Sequence, residues 1–259
     1  MQARNDTSAA VRRQMDEHLK GADWSHQEKL AIAARILAHE GHTPGLAGQI
    51  SARDPERGGY WTLRFGDGFD EVRADRLVRV DDDLQVLDGE GMANPATRFH
   101  TWVYRRRPAV NCIVHTHPPH ISALSMLGEP LVAAHMDAMP FHDDCAFLAE
   151  WPGVPIADQE GEIISGALGD KRAILLAHHG MLTACGSIEE ATYLAFWIEH
   201  AARMQLLARS VGEIRPVNAD FAREAHDFLL LPSVVQATFA YWGRKTIARE
   251  PDCLSGAGA

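Results

Sequence analysis

Two histidines one residue apart, His115 and His117, end the apolar run that begins at Cys112. In an extended strand, successive side chains alternate between the two faces, so both imidazoles point the same way. Two imidazoles on one face can chelate a single divalent ion. The plainer alternative is a pair of histidines that make only local hydrogen bonds at a strand end. A third histidine at a neighbouring strand end would favour the metal site.

A second apolar run, from Arg172 to Ala177, ends in His178 and His179. If the two predicted strands neighbour each other in one sheet, three imidazoles converge. Three protein ligands with open coordination positions are typical of a catalytic metal, and Zn²⁺, Mn²⁺, Fe²⁺ and Co²⁺ all accept such a set. An open site of this kind can bind two oxygens of a hydroxy-carbonyl or hydroxy-carboxylate substrate and hold the negative charge of an enolate.

Helices and strands along the rest of the chain predict one α/β domain over residues 23–259, with helices packed on a mixed sheet. Helices are predicted where apolar residues recur at helical spacing, and capping-box patterns begin at Ser25 and Ser187. The predicted helices cover 25–41, 98–107, 118–128, 159–168, a long segment from 187, and 219–249. The further predicted strands are 60–65, 77–80, 84–87 and 131–134, with a hairpin turn at 81–83. Residues 1–22 are polar and predict a loosely held lead-in.

The composition argues against several classes of protein. The 259 residues are 46% hydrophobic and 23% charged with a net charge of -10, and the only basic run is Arg105 to Arg107, which argues against nucleic acid as a partner. Four widely spaced cysteines without a Cys-x-x-Cys pair fit free thiols in a reducing compartment. There is neither a signal-peptide pattern nor an apolar run near the roughly 20 residues that span a bilayer. We therefore expect a cytoplasmic protein without a membrane partner.

Four segments carry a resemblance to the class II aldolase/adducin family, which includes fuculose-phosphate aldolase, ribulose-phosphate 4-epimerase, related decarboxylases and adducin heads. The segments are Gly48-Gln49-Ile50-Ser51-Ala52-Arg53, Phe99-His100 ahead of Arg107-Pro108, Ile113-Val114-His115-Thr116-His117, and Leu175-Leu176-Ala177-His178-His179-Gly180. The similarity spans roughly residues 25–210.

The resemblance implies a three-layer α/β/α fold around a central mixed, mainly antiparallel sheet, and a ring-shaped homotetramer with sites at subunit interfaces. It also implies one divalent metal per subunit, with His115, His117 and His179 as ligands and His178 as the fallback for the third. Zinc and manganese are the expected metals, with iron and cobalt as alternatives.

The chain departs from the family pattern where the sugar-phosphate aldolases carry a catalytic carboxylate. That carboxylate stands nineteen residues before the first metal histidine, a position that is Ala96 here. The serines that hold phosphate in those aldolases fall at Asn94 and Pro95, and Gln49 replaces the usual asparagine. Retro-aldol cleavage needs a base for the substrate hydroxyl, whereas decarboxylation does not. We therefore expect a divalent-metal-dependent carbon–carbon lyase, either aldolase or decarboxylase, acting on a non-phosphorylated hydroxy- or keto-carboxylate.

Other residues must then supply the proton and bind the small-molecule carboxylate substrate. The polar segment that follows the 131–134 run suggests His142, Asp143 and Asp144 as catalytic candidates, with an ordinary exposed loop as the alternative. The candidate substrate-binding residues are Gln49, Asn94, Arg98 and Asp137. A guanidinium such as Arg98 can bind a carboxylate through two hydrogen bonds, although it can equally form a surface or interface salt bridge.

Two alternatives to a lyase remain open. An Fe²⁺ ion on the same three histidines could activate O₂, which would make the protein a non-haem iron oxygenase. A non-catalytic, adducin-like interaction module is the other alternative, although such a module has no need of an open metal site.

Overall fold

The computed structural model describes residues 2–153 and 158–254, and its central element is a mixed sheet of eight strands. The strands are β1 (Gln49–Arg53), β2 (Tyr60–Thr62), β3 (Val78–Val80), β4 (Val86–Asp88), β5 (Cys112–Thr116), β6 (Cys145–Leu148), β7 (Ala173–Leu176) and β8 (Met181–Cys185). Their order across the sheet is β4-β3-β2-β1-β5-β8-β7-β6. All neighbouring pairs are antiparallel except β6 and β7, which are parallel.

Helices cover both faces of this sheet. They are α1 (Gln2–His18), α2 (His26–His39), α3 (Arg98–Arg106), α4 (Pro119–Met126), α5 (Asp158–Leu168), α6 (Ile188–Arg209), α7 (Ala219–Leu229) and α8 (Pro232–Arg249). Strand alternation divides the core: Ile113 packs with α3 and α5 on one face, and Val114 packs with α2, α6 and α8 on the other. The expected three-layer fold is confirmed. None of the described helices is long and apolar enough to cross a bilayer.

Side-chain caps fix where the helices nearest the sheet begin. The Ser25 hydroxyl accepts a hydrogen bond from the backbone N–H of Glu28, whose carboxylate in turn accepts from the backbone N–H of Ser25. This capping box starts α2 as predicted. Ser187 caps α6 by accepting from the backbone N–H of Glu190. These caps satisfy N–H groups that have no partner within the helix.

Three sequence expectations differ from the structure. Residues 131–134 form no strand, because the N–H of Val132 donates to the Gln205 side chain instead of to a sheet. The single predicted C-terminal helix is two helices, since Pro232 begins α8 after a break. Residues 2–18 of the expected lead-in are helical. Strands β6 and β8 were not predicted, and β8 proves central to the site described below.

Packing between α3 and α5 depends on a glycine. A Cβ on Gly161 would lie 2.4 Å from Cδ1 of Trp102, whereas a Cβ on Gly166 of the same helix would meet only Nη1 of Arg106 at 3.2 Å. We predict that Gly161→Ala lowers the free energy of unfolding by about 1–3 kcal/mol, because the added carbon overpacks the interface. Chemical denaturation with urea measures this change.

The matched control is Gly166→Ala. It removes a helical glycine next to a flexible side chain, so we expect stability to rise by up to about 1 kcal/mol. Equal effects of the two substitutions would contradict the packing argument.

Candidate metal centre

The two histidine-bearing strand ends meet at one edge of the sheet. Strands β5 and β7 are both antiparallel to β8, which lies between them, so they run in the same direction and end at the same edge. They are therefore second neighbours in the sheet, and the turn that joins β7 to β8 places His179 at the start of β8. Ligand atoms of His115, His117 and His179 lie within 4.8 Å of one another. Nε2 of His115 and Nε2 of His117 are 3.0 Å apart.

The environment of His115 orients it as a metal ligand. Its side chain is 1% exposed, and Nδ1 donates to the backbone carbonyl of Met181 at 2.8 Å. Because Nδ1 carries the proton, the lone pair of Nε2 faces the other imidazoles, as expected for a ligand whose second nitrogen is held by the protein. Phe99 packs edge-on against the ring, with centroids 5.0 Å apart.

Burial keeps the three imidazoles neutral. It lowers the pKa of His115 and His117, and it lowers the pKa of His179 to about 4. Neighbouring imidazoles lower the pKa of His115 and His179 further. Neutral imidazole is the form that binds metal. Three neutral nitrogen donors facing one another, without a carboxylate among them, fit one divalent transition ion and leave coordination positions open.

The turn after β7 decides which of the two adjacent histidines joins the cluster. His178 has a φ of 57°, is exposed, and donates its N–H to the carbonyl of Ser125. His179 lies on the opposite side of the turn, facing His115 and His117. A Cβ on Gly180 would lie 2.5 Å from the Thr116 carbonyl oxygen and 2.6 Å from Cδ2 of His117. Glycine therefore allows this turn to pack directly against the end of β5.

Two supporting residues were not identified from the sequence. The backbone carbonyl of His42 accepts from the backbone N–H of His117. Nδ1 of the His42 ring lies 2.8 Å from Oγ1 of Thr116. The buried carboxylate of Glu199 accepts from the N–H groups of His120 and Ile121, which lie in the first turn of α4 shortly after His117. A carboxylate at a helix N-terminus is favourable for the helix dipole. These partners are far apart in sequence, so no local motif indicates them.

Two of the predicted substrate-binding residues, Gln49 and Asn94, line one cleft together with Gly48 of the glycine turn. Gln49 lies directly opposite His115 in the pairing of β1 with β5. The Asn94 side chain accepts from the N–H of Ala96 and so caps the short 3₁₀ turn Pro95–Thr97. The structure thus brings the position of the missing carboxylate, the cleft and the strand of His115 into one region.

The other two predicted substrate-binding residues, Arg98 and Asp137, pair with side chains of this chain. Nε of Arg98 lies 2.9 Å from the Asp158 carboxylate, so its charge is matched within the chain. The Asp137 carboxylate lies 3.4 Å from Nδ1 of His135 and 3.3 Å from Nε2 of His200. Neither residue belongs to the three-histidine cluster.

The catalytic candidates His142, Asp143 and Asp144 do not converge with the three histidines within one chain. They precede β6, which is parallel to β7, whereas His179 follows β7, so the two groups lie at opposite edges of the sheet. Within one chain, the length of a strand therefore separates the two sets. The two aspartates instead hold α7: Asp144 pairs with Arg172 and His226, and Asp143 pairs with Arg223.

Comparison with known proteins gives the family. Residues 28–206 match the Class II Aldolase and Adducin N-terminal domain. This match covers well over half of the chain, and the chain belongs to this family.

The names of similar proteins state different activities. A 3,4-dihydroxyphthalate decarboxylase from Arthrobacter keyseri is 32% identical over 211 residues, covering 74% of this chain and 84% of that protein. A 4-hydroxy-3-prenylphenylpyruvate oxygenase/4-hydroxy-3-prenylbenzoate synthase from Streptomyces roseochromogenus subsp. oscitans is 30% identical over 233 residues, covering 88% and 84%. The solved L-fuculose 1-phosphate aldolase from Glaciozyma antarctica PI12 has a TM-score of 0.80 at 28% identity, covering 88% of this chain and 90% of that one.

The two adjacent histidines provide a direct test of the donor set. We predict that His179→Ala weakens Zn²⁺ binding by more than the roughly 10–100-fold that loss of an outer-shell partner costs. His178→Ala should leave the affinity within about twofold, because the exposed ring lies outside the cluster. Competition with a chromophoric chelator measures both affinities. Stronger dependence on His178 than on His179 would overturn the assignment.

The contacts of His226 predict a pH-dependent stability. The hydrogen bond to Asp144 is the main cause that raises the pKa of His226. The stabilisation is therefore fully present below the ordinary histidine value of about 6.5 and is lost as pH rises through the raised value. Wild type should exceed His226→Gln in unfolding free energy at low pH, and the difference should shrink with rising pH. Urea unfolding between about pH 5.5 and 8.5 measures it.

The control for this experiment is Arg223→Gln on the same helix. Its guanidinium pairs with Asp143, and arginine side chains in general are charged throughout this range, so its effect on stability should stay constant. A constant effect of His226→Gln across the same range would contradict the prediction.

Proposed function

We propose that the chain is a divalent-metal-dependent carbon–carbon lyase that acts on a non-phosphorylated hydroxy- or keto-carboxylate, with decarboxylation favoured over aldol cleavage. One observation carries the proposal: the three-histidine cluster is complete, while the family's catalytic carboxylate position is Ala96. The family contains both aldolases and decarboxylases, and similar proteins of both kinds are found.

His115, His117 and His179 would hold the metal, for which Zn²⁺ or Mn²⁺ is proposed and Fe²⁺ or Co²⁺ is an alternative. The ion supplies a Lewis acid for the negative charge that develops on the substrate's oxygens. The chain's own part is to keep these imidazoles neutral and oriented, through their burial and through the Met181 carbonyl.

The missing base distinguishes the two lyase reactions. A methyl side chain at Ala96 cannot take a proton from a substrate hydroxyl, so aldol cleavage lacks the group that would start it. Decarboxylation breaks the bond to the carboxylate first: CO₂ leaves, and the carbon that keeps the electron pair takes up one proton. That reaction needs an acid after bond cleavage and no base before it.

The cleft beside the site lacks a free cation for phosphate among the residues that line it. Arg64 is the cationic side chain in the cleft, and its guanidinium lies 2.7 Å from the Asp67 carboxylate. The remaining uncharged polar side chains are Thr62, whose hydroxyl donates to the Ile50 carbonyl, and the amides of Gln49 and Asn94, which can hydrogen-bond to hydroxyl or carboxylate oxygens. This charge balance supports a substrate without a phosphate group.

We propose that the proton donor comes from a neighbouring subunit, in the homotetramer with interfacial sites that the family resemblance implies. Of the three catalytic candidates, His142 remains, because Asp143 and Asp144 are paired with arginines; Asp137, expected above to bind substrate, is proposed as a second candidate donor. The exposed fraction of the Asp137 side chain, 24%, leaves it accessible to a second subunit.

An iron-dependent oxygenase is the second candidate, favoured by the similar protein whose name includes oxygenase activity. The same three histidines would bind Fe²⁺. Consumption of O₂ by the iron-loaded protein, with a carboxylate substrate present, separates this function from a lyase. A non-catalytic interaction module is not favoured by any contact described above.

We predict that a panel of hydroxyaryl carboxylates and 2-keto acids, tested with Mn²⁺ or Zn²⁺, includes a substrate that releases CO₂ or pyruvate. His117→Ala should reduce the release to background, because one of three metal ligands is lost. His178→Ala is the control and should retain activity. Release that survives His117→Ala would contradict the proposed metal dependence.

A separate prediction concerns the missing carboxylate. Ala96→Glu should not increase turnover of the substrate found in that panel, because decarboxylation does not use a base at this position. Ala96→Gln adds similar bulk without charge and controls for crowding of the cleft. A large gain with glutamate but not with glutamine would show that a base is limiting, and would favour aldol cleavage.

A further inference from the structure

A row of polar side chains lies between α3 and β1. Residues 49, 51 and 53 share one face of β1, and His100 and Tyr104 share one face of α3, with Thr97 directly before that helix. Hydrogen bonds join β1 to α3 at two places. Nδ1 of His100 lies 2.8 Å from the Ser51 hydroxyl, and Nη2 of Arg53 donates to the Tyr104 carbonyl at 2.7 Å.

At the metal-site end, the same face of β1 carries Gln49, and Thr97 directly precedes α3. The 3₁₀ turn that ends at Thr97 packs against β1, and Gln49 is the β1 residue opposite His115. Three buried polar atoms at this end find no hydrogen-bond partner among the described residues: Oε1 of Gln49, Oγ1 of Thr97 and Nε2 of His100. Gln49, Thr97 and His100 are 5%, 2% and 0% exposed, respectively.

Three unpartnered polar atoms in one buried region indicate a bound molecule, because buried polar groups in proteins are almost always hydrogen-bonded. The chemistry of the three groups defines that molecule. An amide oxygen accepts, a hydroxyl donates or accepts, and a neutral imidazole nitrogen does one or the other. The amide oxygen can only accept, so the shared partner must donate to it, which an anion cannot do, whereas a hydroxyl group both donates and accepts.

We propose that one ordered water molecule binds between Gln49 Oε1, Thr97 Oγ1 and His100 Nε2, and fixes the carboxamide of Gln49 beside the metal centre. Water matches the three partners that a buried water commonly has. The near-complete burial of all three residues favours water over a substrate hydroxyl, which would have to enter from the cleft.

The water gives Gln49 a defined orientation. With Oε1 directed to the interior, the amide nitrogen is the end of the side chain left to face the cleft that Gln49 lines. Gln49 then presents a hydrogen-bond donor to a substrate oxygen. Ser51, whose hydroxyl contacts both His100 and the Tyr104 hydroxyl, holds the imidazole in place from behind. Thr97 and His100 are positioning residues in this arrangement, since they act through the water on Gln49.

The experiment compares crystal structures of the full chain, at a resolution that shows buried waters, for wild type, Thr97→Val, Thr97→Ser and Thr101→Val. Wild type and Thr97→Ser should each show one density peak within hydrogen-bond distance of all three atoms. In Thr97→Val the peak should be lost and the Gln49 carboxamide should take up more than one orientation. Thr101→Val removes a different buried hydroxyl, within α3, that donates to the Arg98 carbonyl, and should leave the water in place.

A measurement on wild type alone guards against a variant that does not fold. In ¹⁵N-histidine-labelled protein, the His100 ring should show magnetisation transfer from a long-lived water. Three results would overturn the proposal: no peak and no transfer in wild type, a Gln49 side chain bonded directly to His100, or a peak that persists unchanged in Thr97→Val. A peak that carbohydrate or carboxylate soaking replaces with a ligand hydroxyl would also overturn it, in favour of a substrate subsite.

Discussion

The hydrogen bond from His115 to the Met181 carbonyl links the metal centre to the register of the sheet. Met181 is the first residue of β8, the strand that separates β5 from β7 and makes them run in the same direction. A shift of β8 by one residue would turn its side chains to the other face and remove this carbonyl from Nδ1. The tautomer of His115, the closeness of His179 and the shared strand edge therefore all depend on one pairing register.

The sequence predicted those parts of the site that follow from local periodicity. The alternation of a strand places His115 and His117 on one face, and the family resemblance selected His179 over His178. The reason for that selection, a left-handed backbone at His178 and a glycine without room for a Cβ, is visible only in the structure. Strands β2, β3 and β4 and the starts of α2 and α6 were also predicted, because caps and alternation are local signals.

The remaining features depend on partners distant in sequence. The acidic residues before β6 were expected in the site from the composition of their segment. Their partners Arg172, Arg223 and His226 come from later in the chain, and they meet at the strand ends opposite to the three histidines. The carboxylate of Glu199 stabilises the start of α4 from 79 residues away. No pattern within a short window distinguishes a carboxylate that holds a helix from one that transfers a proton.

Gly180 has a consequence for how the centre takes up its ion. The turn that carries His179 is seated on the Thr116 carbonyl with no space for one more carbon, so the third donor is held close to the other two by packing that does not involve the ion. The protein therefore differs from small zinc domains, in which metal binding and folding are one event. The free energy of metal binding would then not be needed to order a loop. The occupancy of the proposed centre would be set by the supply of each metal and by the intrinsic preference of nitrogen donors.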